Sequence, residues 1–140
     1  MYRILVIDDT HAWNKLVGWH LAASGFKIDS ASSCEEALAK LRHARPDCIL
    51  MDFNLPDGTA VSLCAAMRLQ EKVPLPPVIV ISADPYMEIT AYKDCLAQRF
   101  LLKDRNTFNL LPDVISEVIR TDAFPAHKKT KENTENDEDK

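Results

Sequence analysis

The sequence has little glycine, and its cysteines are few and scattered. Only 3 of the 140 residues are glycine, and no glycine-rich phosphate-binding loop with its lysine is present, which argues against a bound nucleotide. The cysteines lack the paired C-x-x-C spacing of a zinc site and fall at predicted strand or helix positions; they are Cys34, Cys48, Cys64 and Cys95. We therefore predict buried, reduced thiols rather than metal ligands.

The sequence also lacks an excess of positive charge and a long apolar run. Its formal net charge is -4, and no basic stripe with interleaved aromatic residues is present, which argues against non-specific binding of nucleic acid. No apolar run approaches the ~20 residues that span a bilayer, and residues 1–3 lead into a predicted strand rather than a signal peptide. We therefore expect a cytoplasmic protein with a protein partner, no nucleic-acid partner and no membrane partner.

The hydrophobic content is high enough for one folded domain. Apolar residues make up 46% of the chain, and at this length they can build a single core. Beyond Phe124 and Pro125 the sequence becomes polar and charged. We predict one domain over residues 1–123, followed by a disordered charged tail over residues 124–140.

Short strand segments, which are apolar except for an alternating one at 27–31, are separated by amphipathic helical patterns along this domain. The predicted strands are 2–7, 27–31, 48–51, 78–81 and 99–102. The predicted helices are 10–24, one that Ser33 caps and that stops before Pro46, 59–71, 85–96 and 107–121. Strict alternation of strand and helix predicts an α/β fold, in which a doubly wound five-stranded parallel sheet carries five helices on its two faces.

Local signals mark three of the helix ends. Gly25 stands where the cap of the first helix belongs. Ser33 and Glu36, three residues later, have the spacing of a capping box. Pro112 is expected within the first turn or so of the last helix, where its missing N–H does least harm.

Polar side chains follow four of the five predicted strands: Asp8 and Asp9, Asp52, Ser82 and Lys103. The carboxyl ends of the strands in an open α/β sheet form the rim where ligands bind. Clustered carboxylates repel one another, and a hard divalent cation relieves that repulsion; oxygen ligands alone suit Mg²⁺. Lysine and serine suit phosphoryl oxygens. The set predicts phosphoryl transfer, with Asp52 at the end of the central buried strand as nucleophile.

The two tryptophans have different expected positions relative to this rim. Trp13 lies four residues after Asp9, about one turn into the first helix, so we expect its indole close to the acidic residues. Trp19 lies nearly two turns further along the helix. We expect it to be remote from the rim.

Together these residues resemble the receiver domain of two-component response regulators over residues 2–123. The motifs are Asp8-Asp9, Asp52, Ser82-Ala83 and Lys103, with Pro56 four residues after Asp52 and Phe100 three before Lys103. The resemblance implies a flavodoxin-like sheet with the strand order 2-1-3-4-5. It also implies that Asp52 accepts a phosphoryl group from a histidine kinase or a histidine phosphotransfer protein.

The resemblance also implies a Mg²⁺ cofactor and its ligands. Asp9 and Asp52, together with the backbone carbonyl of Asn54, ligate the ion, and Asp8 acts through a water molecule. These roles are expectations carried from the family to the matching residues.

Three further roles follow from the same resemblance. Lys103 and Ser82 hold the phosphoryl group. Phe100 takes the aromatic switch position, which responds when Ser82 is drawn inward.

The chain departs from the family pattern in two places nearby: Asp104 stands where a proline with a cis peptide bond is usual, and Ala60 stands where a glycine is common.

These departures lead to specific expectations. We expect a looser loop after Lys103, and we expect Gly58 to take over the turn in place of the usual glycine. The spacing from Ser82 to Lys103 is about one residue shorter than in chemotaxis-type receivers. The fourth helix belongs to the usual output face, so the choice of partner is not carried over.

The leading hypothesis is a stand-alone receiver of the chemotaxis type. It would signal by phosphorylation-dependent protein binding or by phosphorelay, and its only catalysis would be phosphoryl transfer to its own aspartate and loss from it. One alternative is an aspartate-dependent phosphohydrolase, which normally has a second acid at the position of Asn54. Another is a receiver-like binding module that is never phosphorylated, an alternative that Asp104 and Ala60 leave open.

Overall fold

The computed structural model describes residues 1–70 and 75–122. The strands are β1 (Arg3–Ile7), β2 (Lys27–Ala31), β3 (Cys48–Asp52), β4 (Val78–Ser82) and β5 (Arg99–Leu102). The helices are α1 (His11–Ala23), α2 (Cys34–Leu41), α3 (Ala60–Gln70), α4 (Glu88–Asp94) and α5 (Arg105–Asp122). A 3-10 turn, Pro85–Met87, precedes α4, and a short antiparallel ribbon joins Asn54–Leu55 to Gly58–Thr59. The predicted tail 124–140 and the predicted end of the third helix at residue 71 lie outside the described residues.

The five strands form one parallel sheet in the order β2-β1-β3-β4-β5. This order confirms the predicted doubly wound fold. The central strand β3 and its neighbour β4 are largely apolar because helices cover both faces of the sheet: β4 is buried at all five positions, and β3 at all but its last. That last residue is Asp52, so the central strand ends in a charge.

Two clusters of buried side chains pack on opposite faces of the sheet. One contains residues from α2, α3 and α4, and the other contains residues from α1 and α5. Leu5 and Ile49, which are register partners in neighbouring strands, point into the first cluster, whereas Ile4 and Leu50 point into the second. The alternation of side chains along a strand therefore serves two cores at once. No helix within 1–70 or 75–122 is long and apolar enough to cross a membrane.

The predicted helix ends are confirmed in two cases and modified in detail. Gly25 follows α1 with a φ of 95°, a conformation that glycine adopts without strain. The Ser33 hydroxyl accepts a hydrogen bond from the N–H of Glu36 at 3.0 Å. The Glu36 carboxylate, however, accepts the N–H of Ser32 at 2.8 Å, so the reciprocal bond of the capping box falls one residue earlier than predicted.

The start of α5 was predicted wrongly. The helix begins at Arg105, and Pro112 lies in its interior rather than in its first turn. The reason is Asp104, whose Oδ1 accepts the N–H groups of Asn106 at 2.9 Å and Thr107 at 3.3 Å. Asp104 therefore caps the helix and starts it earlier, and these bonds tie down the loop that was expected to be loose.

All four cysteines are free and buried, as predicted. Burial raises the pKa of Cys34 to about 11 and that of Cys48 to about 12. These two thiols are therefore protonated at neutral pH and behave as small apolar groups.

Candidate functional site

Lys103 joins the two carboxylates at the centre of the rim. Its Nζ donates a hydrogen bond to Asp8 Oδ2 at 2.7 Å and lies 3.5 Å from Asp52 Oδ2. Asp8 directly follows β1, Asp52 ends β3 and Lys103 directly follows β5. Parallel pairing brings these three strand ends to the same edge of the sheet, although Lys103 is 95 residues from Asp8 in the chain.

Asp8 is the most buried acid of this group, and its carboxylate is held on both sides. The residue is only 1% exposed. Its Oδ1 accepts the N–H of Thr10 at 2.8 Å while Oδ2 accepts the Lys103 ammonium. Its backbone is fixed as well, because its N–H donates to Ala31 O at 3.0 Å and its carbonyl accepts Asn14 Nδ2 at 2.6 Å. Asp8 is thus a rigid anion to which Lys103 is tethered.

The surroundings of Asp52 shift its pKa in opposing directions. Burial raises the pKa of its carboxyl above the ordinary value, and the negative charge of Asp8 raises it further. The nearby Lys103 ammonium lowers the pKa and offsets part of this effect. The negative charge of Asp52 is therefore disfavoured where it sits, and an additional cation at the rim would stabilise it.

Asp9 completes an acidic cluster with Asp8 and Asp52. One carboxylate oxygen from each of the three lies within 4.8 Å of the others, and Asp9 is the exposed member. All donors are carboxylate oxygens, which suits a hard divalent cation rather than a soft metal. Asn54 lies two residues after Asp52, at an exposed position where the ribbon begins.

Ser82 ends β4, and Phe100 lies on the neighbouring strand β5. Ser82 is 2% exposed, and its Oγ accepts the N–H of Asp84 at 3.0 Å. Its carbonyl accepts the N–H of Lys103 at 2.9 Å, which links the ends of β4 and β5. The Phe100 ring is buried in the cluster that α2, α3 and α4 cover. The N–H of Phe100 points away from β4 and donates to the Tyr92 hydroxyl at 3.0 Å.

The comparison with protein families shows to which family the chain belongs. The family model for the response regulator receiver domain matches residues 4–115 of the chain. The chain belongs to this family. It is a receiver domain of a two-component system, as the sequence motifs indicated.

Curated relatives of this receiver domain are longer regulators. It is 30% identical over 81 residues to the phosphate regulon transcriptional regulatory protein PhoB of Rhizobium meliloti, an alignment that covers 58% of this chain and 36% of PhoB. It is 29% identical over 134 residues to the DNA-binding dual master transcriptional regulator RpaA of Synechocystis, covering 94% of this chain and 55% of RpaA. The chain thus spans about a third to a half of the length of these relatives.

Solved structures of similar fold include single receivers. The chemotaxis protein CheY4 of Vibrio cholerae is 28% identical, with a TM-score of 0.75 and coverage of 84% of this chain and 98% of CheY4. The response regulator TrrA of Thermotoga maritima, solved in complex with Mg²⁺ and BeF, is 26% identical, with a TM-score of 0.69 and coverage of 81% of this chain and 96% of TrrA.

Asp57 has a structural role that was not predicted from the sequence. Asp57 accepts the N–H of Cys34 at 2.8 Å and that of Glu35 at 3.0 Å, at the start of α2. These bonds lower the pKa of its carboxyl. Because Asp57 lies 23 residues from Cys34 in the chain, no local pattern could indicate the contact.

Gly58 was expected to take over the turn, but it follows the turn, in the second strand of the ribbon, where close packing favours glycine. A Cβ at this position would lie 2.6 Å from Ser62 Oγ and 3.3 Å from Cys34 Sγ, so no larger residue fits without a shift. Ala60, in contrast, is fully buried, and its N–H donates to Phe53 O at 2.8 Å. The close approach falls at position 58, and position 60 accommodates a methyl group.

The contact between the Trp13 ring and Lys103 was only partly predicted from the sequence. Lys103 Nζ lies 5.0 Å from the centroid of the Trp13 ring. The expectation that Trp13 lies near the rim is therefore confirmed, but the partner of its ring is the lysine. Trp19 is 63% exposed and has Lys15 Nζ over its ring at 5.5 Å.

Proposed function

We propose that Asp52 accepts a phosphoryl group from a phosphohistidine of a histidine kinase or a histidine phosphotransfer protein. The observation that carries this proposal is the position of Lys103, whose ammonium lies between the carboxylates of Asp8 and Asp52 at 2.7 and 3.5 Å. A fixed cation beside the nucleophile is suited to a phosphoryl group, whose charge must be stabilised during transfer.

The proposed transfer is a displacement at phosphorus. A carboxylate oxygen of Asp52 forms a bond to phosphorus, the bond from phosphorus to the donor nitrogen breaks, and the electron pair leaves with the imidazole. Lys103 neutralises negative charge on the phosphoryl oxygens, and the Ser82 hydroxyl donates a hydrogen bond to one of them. Hydrolysis of the resulting acyl phosphate on Asp52 returns the site to its initial state.

The donor set fits Mg²⁺, because three carboxylates offer oxygens within 4.8 Å of one another. Asp9 and Asp52, with the backbone carbonyl of Asn54, would hold the ion, and Asp8 would contact it through water. When bound, Mg²⁺ would offset the crowded negative charge of the carboxylates and of the incoming phosphoryl oxygens. The solved complex of TrrA with Mg²⁺ and BeF supports this assignment.

We propose that the output is phosphorylation-dependent protein binding or phosphorelay, with Ser82 and Phe100 as the switch. In support, both residues are buried on adjacent strands of a closely packed sheet, where a movement of one side chain is felt by its neighbours. Because the relatives PhoB and RpaA are longer and RpaA is named a DNA-binding regulator, the absence of a nucleic-acid partner stays a prediction. Cytoplasmic localisation and stand-alone action stay predictions as well.

The direct test is intact mass after incubation with Mg²⁺ and acetyl phosphate. We expect one phosphoryl adduct in the parent protein, none without Mg²⁺ and none in Asp52→Asn. Asp94→Asn is the matched control, because it removes an exposed aspartate remote from the rim and should leave the adduct unchanged.

Each alternative gives a different result in this test. An adduct that persists in Asp52→Asn would move the nucleophile to another residue. No adduct with acetyl phosphate or phosphoramidate would favour the binding module that is never phosphorylated. Turnover of a phosphate monoester such as p-nitrophenyl phosphate would favour the phosphohydrolase, because a receiver also releases phosphate from acetyl phosphate as its acyl phosphate hydrolyses.

A further inference from the structure

The ammonium of Lys103 has an aromatic surface on one side and carboxylates on the other. Its Nζ donates to Asp8 at 2.7 Å, lies 3.5 Å from Asp52 and lies 5.0 Å from the centre of the Trp13 ring. The lysine side chain is 17% exposed. An ammonium over an indole face is attracted by the negative charge of the ring face, and the attraction grows as water is excluded.

Trp13 is itself held in place by a second aromatic pair. Its ring centroid lies 4.8 Å from that of Phe108 on α5, with the planes tilted by 37°. Phe108 in turn stacks on His20, with centroids 5.0 Å apart. The indole of α1 therefore packs against α5, and this packing, in which Lys103 takes no part, holds the ring in place beside Lys103.

Trp19 provides an internal contrast on the same helix. Lys15 Nζ also lies over its ring, at 5.5 Å, but no ring contact holds Trp19 among the described residues, and the residue is 63% exposed. Water competes for the ammonium there. Of these two pairs, only the Trp13 pair combines a fixed ring with a largely desolvated lysine.

We propose that Trp13 is a positioning residue for Lys103, which keeps the ammonium directed at Asp8 and Asp52 so that it is in place when Asp52 accepts a phosphoryl group. This proposal rests on the proposed function of Asp52. Without the indole face, the long lysine chain gains rotamers that reach solvent, and the cation spends less time beside the nucleophile.

We expect the rate of phosphorylation to depend on the size of the aromatic ring at position 13. Trp13→Leu keeps an apolar side chain without a π face, and we expect transfer from acetyl phosphate to slow by about three- to tenfold. In this reaction the bond from phosphorus to the acetate oxygen breaks, acetate leaves, and the Asp52 oxygen binds phosphorus. Trp13→Phe restores a smaller ring and should recover part of the rate. Trp19→Leu is the matched control and should react like the parent.

A spectroscopic measurement tests the contact without any phosphoryl donor. In the parent, the ring current of the indole should shift the ε-methylene proton signals of Lys103 upfield in a ¹H–¹³C spectrum. The shift should disappear in Trp13→Leu and persist in Trp19→Leu. Unchanged methyl signals of the fully buried Leu21 and Ile115, which lie about two turns from Trp13 and Phe108 on their helices, would verify that α1 and α5 still fold in each variant.

The outcomes separate this proposal from the function on which it rests. If the parent accepts no phosphoryl group, the proposed function fails. If the parent is phosphorylated and Trp13→Leu, folded by the methyl criterion, reacts within twofold of it, the positioning role is overturned. An ordinary chemical shift for the Lys103 ε-methylene in the parent overturns the contact itself. Loss of the shift together with a graded loss of rate supports the proposal.

Discussion

Asp52, the last residue of β3, and Asp57, in the connection from β3 to α3, lie five residues apart, yet their surroundings shift their pKa values in opposite directions. Asp52 is half-buried beside Asp8, and burial and that neighbouring charge raise its pKa. Asp57 accepts the N–H groups of Cys34 and Glu35, which lower its pKa. We therefore expect the first carboxylate to weaken the fold and the second to strengthen it. This contrast agrees with the proposed role of Asp52 as phosphoacceptor and with a structural role for Asp57.

The largest expected effect comes from removing the cation that partly offsets the crowding at Asp52. Lys103→Met leaves the buried Asp8 carboxylate without its ion pair, and we expect the free energy of unfolding to fall by about 3 kcal/mol. Urea unfolding at pH 7 in EDTA measures it. Lys93→Met, at an exposed position of α4, is the control. A loss no larger than that of the control would mean that Lys103 does not stabilise the acidic cluster.

Removing the crowded carboxylate should have the opposite sign. Asp52→Asn takes away one of three clustered negative charges, and we expect the metal-free protein to gain about 1 kcal/mol at pH 7. Urea unfolding in EDTA checks this gain. A loss of stability in the variant would contradict the idea that Asp52 is held against repulsion.

The gain from Asp52→Asn should also depend on pH in a defined direction. Because the pKa of Asp52 is raised in the folded state, its charge destabilises the fold above that raised pKa. The penalty disappears as the pH falls below the ordinary value of 3.8, where the carboxyl is protonated in both folded and unfolded states. The urea curves of parent and variant should therefore converge near that pH.

Asp57→Asn should destabilise the protein, by less than Lys103→Met does. The amide offers one oxygen where the carboxylate bonds two N–H groups, and it loses the charge that favours the start of α2. Because the pKa of Asp57 is lowered in the folded state, its contribution is present above 3.8 and is lost as the pH falls through the folded value. An Asp57→Asn protein whose urea midpoint equals that of the parent at pH 7 would remove the contrast between the two aspartates.

The smallest expected effect is a change in tryptophan fluorescence, which shows which aspartate lies near a bound metal ion. We expect Mg²⁺ to change tryptophan emission in a saturable way, because a cation among Asp8, Asp9 and Asp52 alters the field at Lys103 and Trp13. Asp9→Ala should shift the titration to higher Mg²⁺, whereas Asp57→Asn should not.

The two tryptophans supply the controls for this titration. Trp13→Phe should abolish the emission change, and Trp19→Phe should leave it intact. If Trp19 carried the whole signal, the assignment of the metal to the start of α1 would be wrong.

Much of the fold could be predicted because its determinants are local. The bounds of β2 and β5 match the prediction residue for residue, since a short alternating segment predicted β2 and a short apolar segment predicted β5. The Ser33 cap and Gly25 were found because each acts within a few residues of its position. The grouping of Asp8, Asp52 and Lys103 followed from topology, because the carboxyl ends of parallel strands lie at one rim of the sheet.

The features that were missed depend on contacts between distant segments or on competition between signals. The bond from Asp57 to Cys34 links the connection after β3 to the first residue of α2, and no sequence spacing indicates it. At α5, Asp104 and Pro112 both mark a helix start, and the cap at Asp104 prevails because it bonds two N–H groups. The facing of Trp13 toward Lys103 depends on the packing of α1 on α5 through Phe108, which a helical pattern alone does not define.

The bond from the Phe100 N–H to the Tyr92 hydroxyl has a consequence for assembly. β5 is an edge strand, and free backbone donors along an edge can pair with a strand of another chain and begin aggregation. Tyr92 occupies one outward-facing donor within this four-residue strand. An incoming strand would first have to displace the phenol. The side chain therefore protects this edge of the sheet against unwanted strand addition.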